Sequence, residues 1–160
     1  MNSEITYLPT EETSAREFLT WKYNPPYEIY NYKPENFDKD LAYHLDPVNN
    51  IHSMYRGDEL IGYCSFGRDA QVPGGDYSED ALDIGMMIKP ELTGQGLGTG
   101  FVANIIQHVI KTYKPVKLRV TILENNKRAM RVWEKNGFQK TQSFVSEKSH
   151  LDFSIFTKEA

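Results

Sequence analysis

Glycines alternate along one short stretch of the chain, Thr93-Gly94-Gln95-Gly96-Leu97-Gly98-Thr99-Gly100. Because glycine has no Cβ atom, a glycine-rich backbone can turn tightly and come close to a ligand. Where such a turn enters a helix, the first N–H groups lack intrahelical acceptors and the positive end of the helix dipole is exposed. These residues therefore favour a bound phosphate or diphosphate.

A strand and a helix are predicted on either side of the glycines. The strand is an apolar run from Leu82 to Ile88, followed by Pro90, which lacks the N–H needed to continue a ladder. After Gly100, apolar residues recur at three- and four-residue steps, which predicts one buried stripe on a helix. The stripe consists of Val102, Ile105, Ile106, Val109, Ile110 and Tyr113.

Two common phosphate-binding motifs fit these glycines poorly. A P-loop has Lys and then Ser or Thr after its last glycine, whereas Phe101 follows Gly100 here. A dinucleotide-binding turn has a glycine where this chain has Thr99. It also has an acidic residue about 20 residues further on, and the region around Lys117 in this chain has none. An enzyme that binds a nucleotide phosphate is thus a distant hypothesis, and a structural turn without a ligand is a further alternative.

Two segments carry a family resemblance. Thr93 to Gly98 resembles the R/Q-x-x-G-x-G/A loop with which the GNAT superfamily of N-acetyltransferases binds the diphosphate of acetyl-CoA, and Thr93 is its one departure. Asn126 to Phe138 resembles the family's N-x-x-A-x-x-x-Y-E-K-x-G-F signature, with Trp133 where Tyr is common. The two segments follow in the family's order, and the resemblance covers roughly residues 51–140.

The resemblance implies an α+β fold with a mixed, mostly antiparallel central sheet, splayed parallel strands and helices on both faces. It implies one domain over residues 1–160, with an acceptor-site region (1–50), an acetyl-CoA-binding core (51–140) and C-terminal strands (141–160). Aromatic residues surround prolines in residues 21–43. They wall a substrate pocket or form a small core of their own, and the sequence leaves both open.

Local patterns predict the remaining elements. Alternating apolar residues predict strands at 4–8 and 116–122 and hairpins at 51–66 and near the C-terminus. A helix is predicted from a capping hydroxyl near Thr10 to about Trp21, and a second helix before Pro47. Asn125 or Asn126 is predicted to cap a further short helix.

The activity that the resemblance implies is direct transfer of an acetyl group from acetyl-CoA to a primary amine of a small molecule or peptide. The loop residues bind the diphosphate, and Asn126 contacts the cofactor unless it is only a helix cap. The backbone of the central strand pairs with the pantetheine arm, where one N–H polarises the thioester carbonyl, an effect worth about 3 kcal/mol. The cofactor-binding residues on this interpretation are Met86, Met87, Ile88, Gly94, Gln95, Gly96, Leu97, Gly98, Thr99 and Asn126.

Asp83 is the predicted catalytic base. An amine of pKa near 10.4 is mostly protonated at neutral pH, and exposing its free base costs about 4.6 kcal/mol, so a carboxylate near it helps. Asp83 shares a strand face with Gly85, which leaves space beside the carboxylate. The alternative is a solvated residue at the start of a strand. Trp133 cannot protonate the departing thiolate as the family's Tyr would. The alternative interpretation of Trp133 is a structural aromatic residue in the core.

Composition narrows the partners. A formal net charge of −4 argues against a general nucleic-acid binder, and the basic residues in 111–119 are interpreted as a strand with one solvated face. The single cysteine, Cys64, excludes an internal disulfide. With no long apolar run and no signal-like N-terminus, the chain is predicted to be cytoplasmic, with no membrane partner. No metal is predicted. A homodimer and a non-catalytic CoA-binding or regulatory module are left open.

Overall fold

The computed structural model describes residues 4–160, so the N-terminal residues 1–3 used in the localisation prediction lie outside it. The described strands form one mixed, mostly antiparallel sheet of order β1-β2-β3-β4-β5-β7-β6, which confirms the predicted fold class. The strands are β1 (Ile5–Pro9), β2 (Ile51–Arg56), β3 (Glu59–Phe66), β4 (Leu82–Ile88), β5 (Lys117–Leu123), β6 (Gln139–Val145) and β7 (Asp152–Glu159). The helices are α1 (Glu12–Phe18), α2 (Phe37–Leu45), α3 (Gly98–Tyr113) and α4 (Lys127–Lys135).

The chain divides into two compact units. The first unit holds residues up to Asp69 together with Met86–Thr93, and the second holds Ala70–Gly85 together with Gly94–Ala160. The three-part division predicted from the sequence, at residues 1–50, 51–140 and 141–160, stays a prediction. Within residues 4–160, none of the helices has the length and apolar character needed to cross a bilayer.

In the first unit, β1, β2 and β3 pair antiparallel. The β2–β3 hairpin is the one predicted, and Gly57 in its turn has a φ of +63°, a conformation that glycine adopts readily. Helix α2 also has the predicted extent, ending before Pro47. These elements follow local signals, namely apolar periodicity bounded by glycine or proline.

Helix α1 is shorter than predicted and capped differently. It ends at Phe18 rather than near Trp21, and its N-cap is Glu11 rather than a residue with a hydroxyl. The hydroxyl of Ser14 donates to the Glu11 carbonyl at 3.0 Å, whereas the hydroxyl of Thr10 lies 3.1 Å from that of Ser53. The Thr10 hydroxyl is therefore hydrogen-bonded to a residue of β2 and does not cap the helix.

Aromatic residues build much of the first unit's core. Phe18 stacks on Tyr63 with ring centroids 4.1 Å apart. The hydroxyl of Tyr32 is hydrogen-bonded to Nε2 of His44 at 3.0 Å and to the hydroxyl of Tyr63 at 2.9 Å. The segment of tyrosines around prolines thus contributes to a core, one of the two alternatives that the sequence left open.

In the second unit, the N-terminal part of β4 pairs parallel with β5 in the register Leu82↔Leu118 and Asp83↔Arg119. The other edge of β5 pairs antiparallel with β7, and β7 pairs antiparallel with β6. This register makes Asp83 and Arg119 direct cross-strand neighbours, so their side chains can form an ion pair.

Two predictions about faces in the second unit are wrong. Ile110 and Tyr113, predicted to be in the buried stripe of α3, are 39% and 38% exposed, because the buried stripe ends at Val109. Arg119, predicted on a solvated face of β5, is only 3% exposed. Its burial is possible because a buried carboxylate pairs with it.

Candidate functional site

The glycine turn before α3 has the open backbone that its composition predicts. Gly94 and Gly96 have φ values of +73° and +75°, in the left-handed region that side chains other than glycine rarely adopt. Residues 94–97 are exposed. A Cβ atom on Gly96 would meet nothing within 4 Å, so this glycine is required by conformation and openness rather than by packing.

The start of α3 leaves hydrogen-bond donors available. The helix begins at Gly98, and its N-cap residue Leu97 supplies no side-chain cap. In the described part of the chain, the N–H groups of Gly94, Gly96, Leu97 and Gly98 donate to no backbone acceptor outside regular elements. The first turn of α3 has no acidic residue. Unsatisfied amides at the positive end of a 16-residue helix form a suitable site for an anion.

Thr93 cannot supply charge to this loop, and its hydroxyl is engaged. The hydroxyl donates to the carbonyl of Pro90 at 2.7 Å, across the 3₁₀ turn Pro90–Leu92. The hydroxyl hydrogen of Thr93 is therefore already used within the chain.

Asn126, and not Asn125, caps α4. Its side-chain oxygen accepts a hydrogen bond from the N–H of Ala129 at 3.1 Å, which satisfies one of the first amides of the helix. This contact is the helix cap that the sequence analysis kept as the alternative for Asn126. A contact between Asn126 and a cofactor stays a prediction.

Asp83, the predicted base, lies in a buried ion pair. Its side chain is 4% exposed, and the Arg119 side chain is also 4% exposed. Oδ1 accepts from Nε of Arg119 at 2.6 Å, and Oδ2 accepts from Nη2 of Arg119 and from Nε2 of Gln71, each at 2.8 Å. Asp83 is therefore not the solvated residue that the sequence offered as an alternative. A role as base stays a prediction, and it requires this pair to open.

The Arg119 side of the pair is equally well satisfied. Its Nη1 donates to the carbonyl of Glu79 at 3.1 Å, and its guanidinium lies 4.9 Å from the ring centroid of Tyr77. The hydrogen bond with Asp83 raises the pKa of Arg119 above its ordinary value. Bidentate, fully hydrogen-bonded geometry is what a buried ion pair needs to offset desolvation.

Local contacts in the first unit fix the backbone of Met87 and Ile88. The carbonyl of Ile88 accepts a hydrogen bond from the hydroxyl of Tyr23 at 2.8 Å. The carbonyl of Met87 lies against Gly62, where a Cβ atom would be only 2.5 Å from the oxygen. Tyr23 could not be singled out from the sequence, because it is one of several aromatic residues in the same segment. The predicted cofactor contacts of this backbone stay predictions.

Trp133 is a core aromatic, the alternative that the sequence offered. It is 4% exposed, and its ring meets that of Phe138 edge-on, with centroids 4.9 Å apart and planes at 80°. Its indole fills space between α4 and the residue that leads into β6. Trp133 thus has a structural role in the second unit.

A small pocket lies in the first unit, within the region predicted to shape the acceptor site. Its volume is about 180 Å³, its walls are mainly apolar, and two lysines and one aspartate are among the residues that line it. It is lined by Leu19, Thr20, Lys22, Tyr32, Lys33, Pro34, Phe37 and Asp40. Tyr32 therefore belongs both to the aromatic core and to a pocket wall.

Titratable groups beside this pocket are shifted towards their neutral forms. Burial raises the pKa of Tyr32 to about 12 and lowers the pKa of His44. The Nδ1 atom of His44 is buried without a hydrogen-bond partner. Burial also raises the pKa of the Cys64 thiol, which disfavours a nucleophilic thiolate. Among residues 4–160, no cluster of His, Cys, Asp or Glu could hold a metal ion.

Comparison with curated proteins finds polyamine acetyltransferases. The probable spermine N(1)-acetyltransferase of Bacillus subtilis subsp. natto and the spermine/spermidine N(1)-acetyltransferase of Bacillus subtilis are each 29% identical to the chain over 108 residues. Each alignment spans 64% of this chain and 64% of the relative. The chain thus covers less than two thirds of the length of these relatives.

Solved structures extend the likeness over nearly the whole fold. Aminoglycoside acetyltransferase AAC(6')-Ib in complex with coenzyme A superposes with a TM-score of 0.77 at 16% identity, covering 98% of this chain and 95% of that one. A chimera of Vibrio cholerae spermidine N-acetyltransferase SpeG gives a TM-score of 0.76 at 16% identity, covering 98% and 96%. At such identities the likeness concerns the fold. The match to the acetyltransferase (GNAT) domain family spans residues 5–139, and the chain therefore belongs to this family.

Proposed function

We propose that this chain is an acetyl-CoA-dependent N-acetyltransferase that transfers an acetyl group to a primary amine of a small molecule or peptide. The observation that carries the proposal is the exposed glycine loop, whose amides at the start of α3 have no backbone acceptors. Membership of the GNAT family and relatives named as spermine and spermidine acetyltransferases support it.

Each part of the cofactor has proposed binding residues. In the second unit, the amides of Gly94–Thr99 bind the diphosphate and Asn126 adds a polar contact. In the first unit, the backbone of Met86–Ile88 pairs with the pantetheine arm. The N–H of Met87 or Ile88 then donates to the thioester carbonyl, a stabilisation of about 3 kcal/mol in the transition state.

Proton removal from the amine is the step with the least defined residue. Asp83 is the carboxylate predicted for it, but both of its oxygens accept hydrogen bonds from Arg119 or Gln71. These contacts favour a structural role, in which Asp83 and Arg119 hold β4 against β5. On that account the attacking amine loses its proton to water or to another group of the acceptor site, and the carboxylate of Asp83 does not take part.

The acceptor site is proposed to include the pocket beside Tyr32. The apolar walls accept a hydrocarbon chain, and Asp40 is the lining residue that would attract an ammonium, against the opposing charges of Lys22 and Lys33. Polyamines, the substrates in the relatives' names, are therefore the first acceptors to test. Asp40→Asn is expected to raise KM for a cationic amine several-fold, and Asp38→Asn, on the same helix but outside the pocket, is expected to leave it unchanged.

A non-catalytic CoA-binding module is the second candidate. It is favoured by two observations: Trp133 is buried at the position where the family commonly has Tyr, and Asp83 is held in an ion pair. Such a protein would bind the cofactor through the same loop and release no thiol.

Thiol release separates these candidates. Purified protein is incubated with acetyl-CoA and spermine, spermidine, an aminoglycoside or a peptide with a free N-terminus, and released CoA is titrated. The enzyme is expected to release thiol with at least one amine above the rate without acceptor. Binding of CoA without release for any amine supports the module instead. Failure to bind CoA contradicts both candidates.

A further inference from the structure

Three charged residues line the pocket of the first unit without pairing with one another. They are Lys22, Lys33 and Asp40. Within residues 4–160, none of the three takes part in an ion pair. Nζ of Lys22 donates instead to the carbonyl of Tyr32, another lining residue, at 3.3 Å. The pocket therefore has charges of both signs that no partner in the described chain neutralises.

This combination of charges is poorly matched to a polyamine. A ligand with several ammonium groups meets two repelling lysines and a single attracting aspartate in the lining. A ligand with one ammonium and one carboxylate meets an opposite charge for each, because Asp40 attracts the ammonium and the two lysines attract the carboxylate. Electrostatic complementarity thus favours a ligand with both charges.

The size and walls of the pocket limit what lies between those two charges. Leu19, Pro34 and Phe37 contribute to a lining that is mainly apolar. The volume of about 180 Å³ is smaller than the roughly 300–1,000 Å³ of pockets that hold drug-sized ligands. A short hydrocarbon chain fits such a pocket better than an aminoglycoside does.

We propose, on the basis of the proposed function, that the acceptor is a short hydrocarbon chain with a primary amine at one end and a carboxylate at the other. Lys22 and Lys33 attract the carboxylate, and Asp40 attracts the amine end. In the reaction the amine nitrogen bonds to the acetyl carbon as the carbon–sulfur bond breaks. CoA leaves as the thiolate, one proton passes from nitrogen to water, and the carboxylate is retained in the product.

Three matched acceptors test the need for a carboxylate. They are 6-aminohexanoate, its amide 6-aminohexanamide, and hexylamine, which differ only at the end remote from the amine. Released thiol gives kcat/KM for each, and the value for 6-aminohexanoate is expected to be at least about fivefold higher than for the other two, since exposed ion pairs have modest energies. Spermidine, a polyamine of the kind the relatives' names give, is expected to be a poorer acceptor than 6-aminohexanoate.

Substitution of the lysines tests whether they cause the preference. Lys22→Gln and Lys33→Gln are each expected to lower the ratio of kcat/KM for 6-aminohexanoate to that for 6-aminohexanamide about two- to threefold. Lys39→Gln is the matched control and should leave the ratio unchanged, because Lys39 is also exposed but does not line the pocket. The ratio compares two substrates of one preparation, so partial loss of folded protein does not alter it.

Reversal of one charge should exchange the preferences. Lys33→Glu gives the lining two anions and one cation, so kcat/KM should fall at least about fivefold for 6-aminohexanoate and rise about threefold for spermidine. Lys39→Glu makes the same change of charge outside the pocket and should alter neither value.

Failure of this inference and failure of the proposed function give different results. If 6-aminohexanoate is acetylated no better than its amide, or if the lysine substitutions leave the ratio unchanged, the inference is wrong, while thiol release with any amine keeps the proposed function. If no amine, hexylamine and spermidine included, releases thiol, the proposed function fails and the inference fails with it.

Discussion

Two polar features of the second unit, close in sequence, differ in how completely the fold satisfies them. The carboxylate of Asp83 accepts three hydrogen bonds and is almost fully buried. The amides of Gly94, Gly96 and Gly98 are at or near the surface and, in the described chain, donate to no backbone acceptor outside regular elements. Buried polar groups need partners inside the protein, whereas exposed donors can bond to water and remain available to a ligand. The glycine loop is therefore available for binding, and the ion pair is committed to the fold.

This difference distinguishes Asp83 from the glycines, although both belong to one segment of the sequence. Asp83 and the glycines both lie in the strand–turn–helix stretch, and chemistry alone made each a candidate for the site. Satisfaction of hydrogen bonds, which depends on the tertiary partners Arg119 and Gln71, assigns them different roles.

Breaking the ion pair should cost the most stability. Asp83→Asn leaves a buried guanidinium without its counter-charge, so the free energy of unfolding should fall by about 3–5 kcal/mol. Glu12→Gln is the matched control, because the Glu12–Arg16 pair has side chains 60% and 54% exposed and should lose at most about 1 kcal/mol. Urea denaturation of both variants provides the comparison. An Asp83→Asn protein as stable as the wild type but without turnover would instead support Asp83 as the base.

Strain in the loop should act on ligand binding. Gly96→Ala and Gly57→Ala place a Cβ atom at φ values of +75° and +63°, both in open space, so the backbone strain of about 1–2 kcal/mol is matched. Only Gly96→Ala should weaken CoA binding, by at least about tenfold or 1.4 kcal/mol, because only Gly96 lies in the loop. Calorimetry measures both affinities. Equal losses of CoA affinity in the two variants, or no loss in either, would show that the loop does not bind CoA.

His44 lies between the two extremes, since it is buried with one ring nitrogen unpartnered. Burial lowers the pKa of His44 from 6.5, and the nearby carboxylates of Asp69 and Asp40 oppose this shift to a smaller extent. The unfolded chain therefore takes up the proton first as pH falls. The free energy of unfolding should decrease from about pH 6.5 downwards, by up to about 1.4 kcal/mol per pH unit.

Substitution tests whether His44 causes this slope. His44→Gln should flatten the decrease in denaturation curves measured from pH 7 to pH 5. The control is His150→Asn, which changes an exposed histidine at a φ of +62° that asparagine tolerates. An unchanged slope in His44→Gln would assign the pH dependence to other groups.

Asn126 should show the smallest effect, and it tests whether one side chain serves both fold and ligand. Asn126→Ala removes the cap on α4 and should cost about 1 kcal/mol, whereas Asn126→Ser keeps a capping oxygen and should cost little. If Asn126 also contacts the cofactor, both variants should bind CoA several-fold more weakly. Wild-type affinity in Asn126→Ser would show that Asn126 is only a cap.

Features set by neighbouring residues could be predicted from the sequence. Pro90 limits β4, the glycines mark the turn, and the steps of four from Phe37 mark α2. The openness of the loop follows in the same way, because the left-handed conformation of Gly96 and the unsatisfied first amides of α3 are local properties.

Features set by distant partners could not be predicted. Arg119 meets Asp83 across 36 residues of sequence, and alternation along β5 alone assigns Arg119 to a solvated face. The hydrogen bonds that link Tyr32 to His44 and Tyr63 arise from packing that no local pattern specifies. The N-cap of α1 is Glu11 rather than a residue with a hydroxyl, and the Thr10 hydroxyl lies 3.1 Å from that of Ser53 in β2. Tertiary contacts override local preference at each of these positions.

The backbone amide signals of Gly94, Gly96 and Gly98 during a titration with CoA report whether the glycine loop binds the diphosphate. Nuclear magnetic resonance of ¹⁵N-labelled protein should show these signals shifting with CoA and dephospho-CoA and remaining in place with pantetheine, which has no phosphate. Saturable CoA binding that leaves all three amide signals unmoved would contradict the account, because the diphosphate would then be held elsewhere.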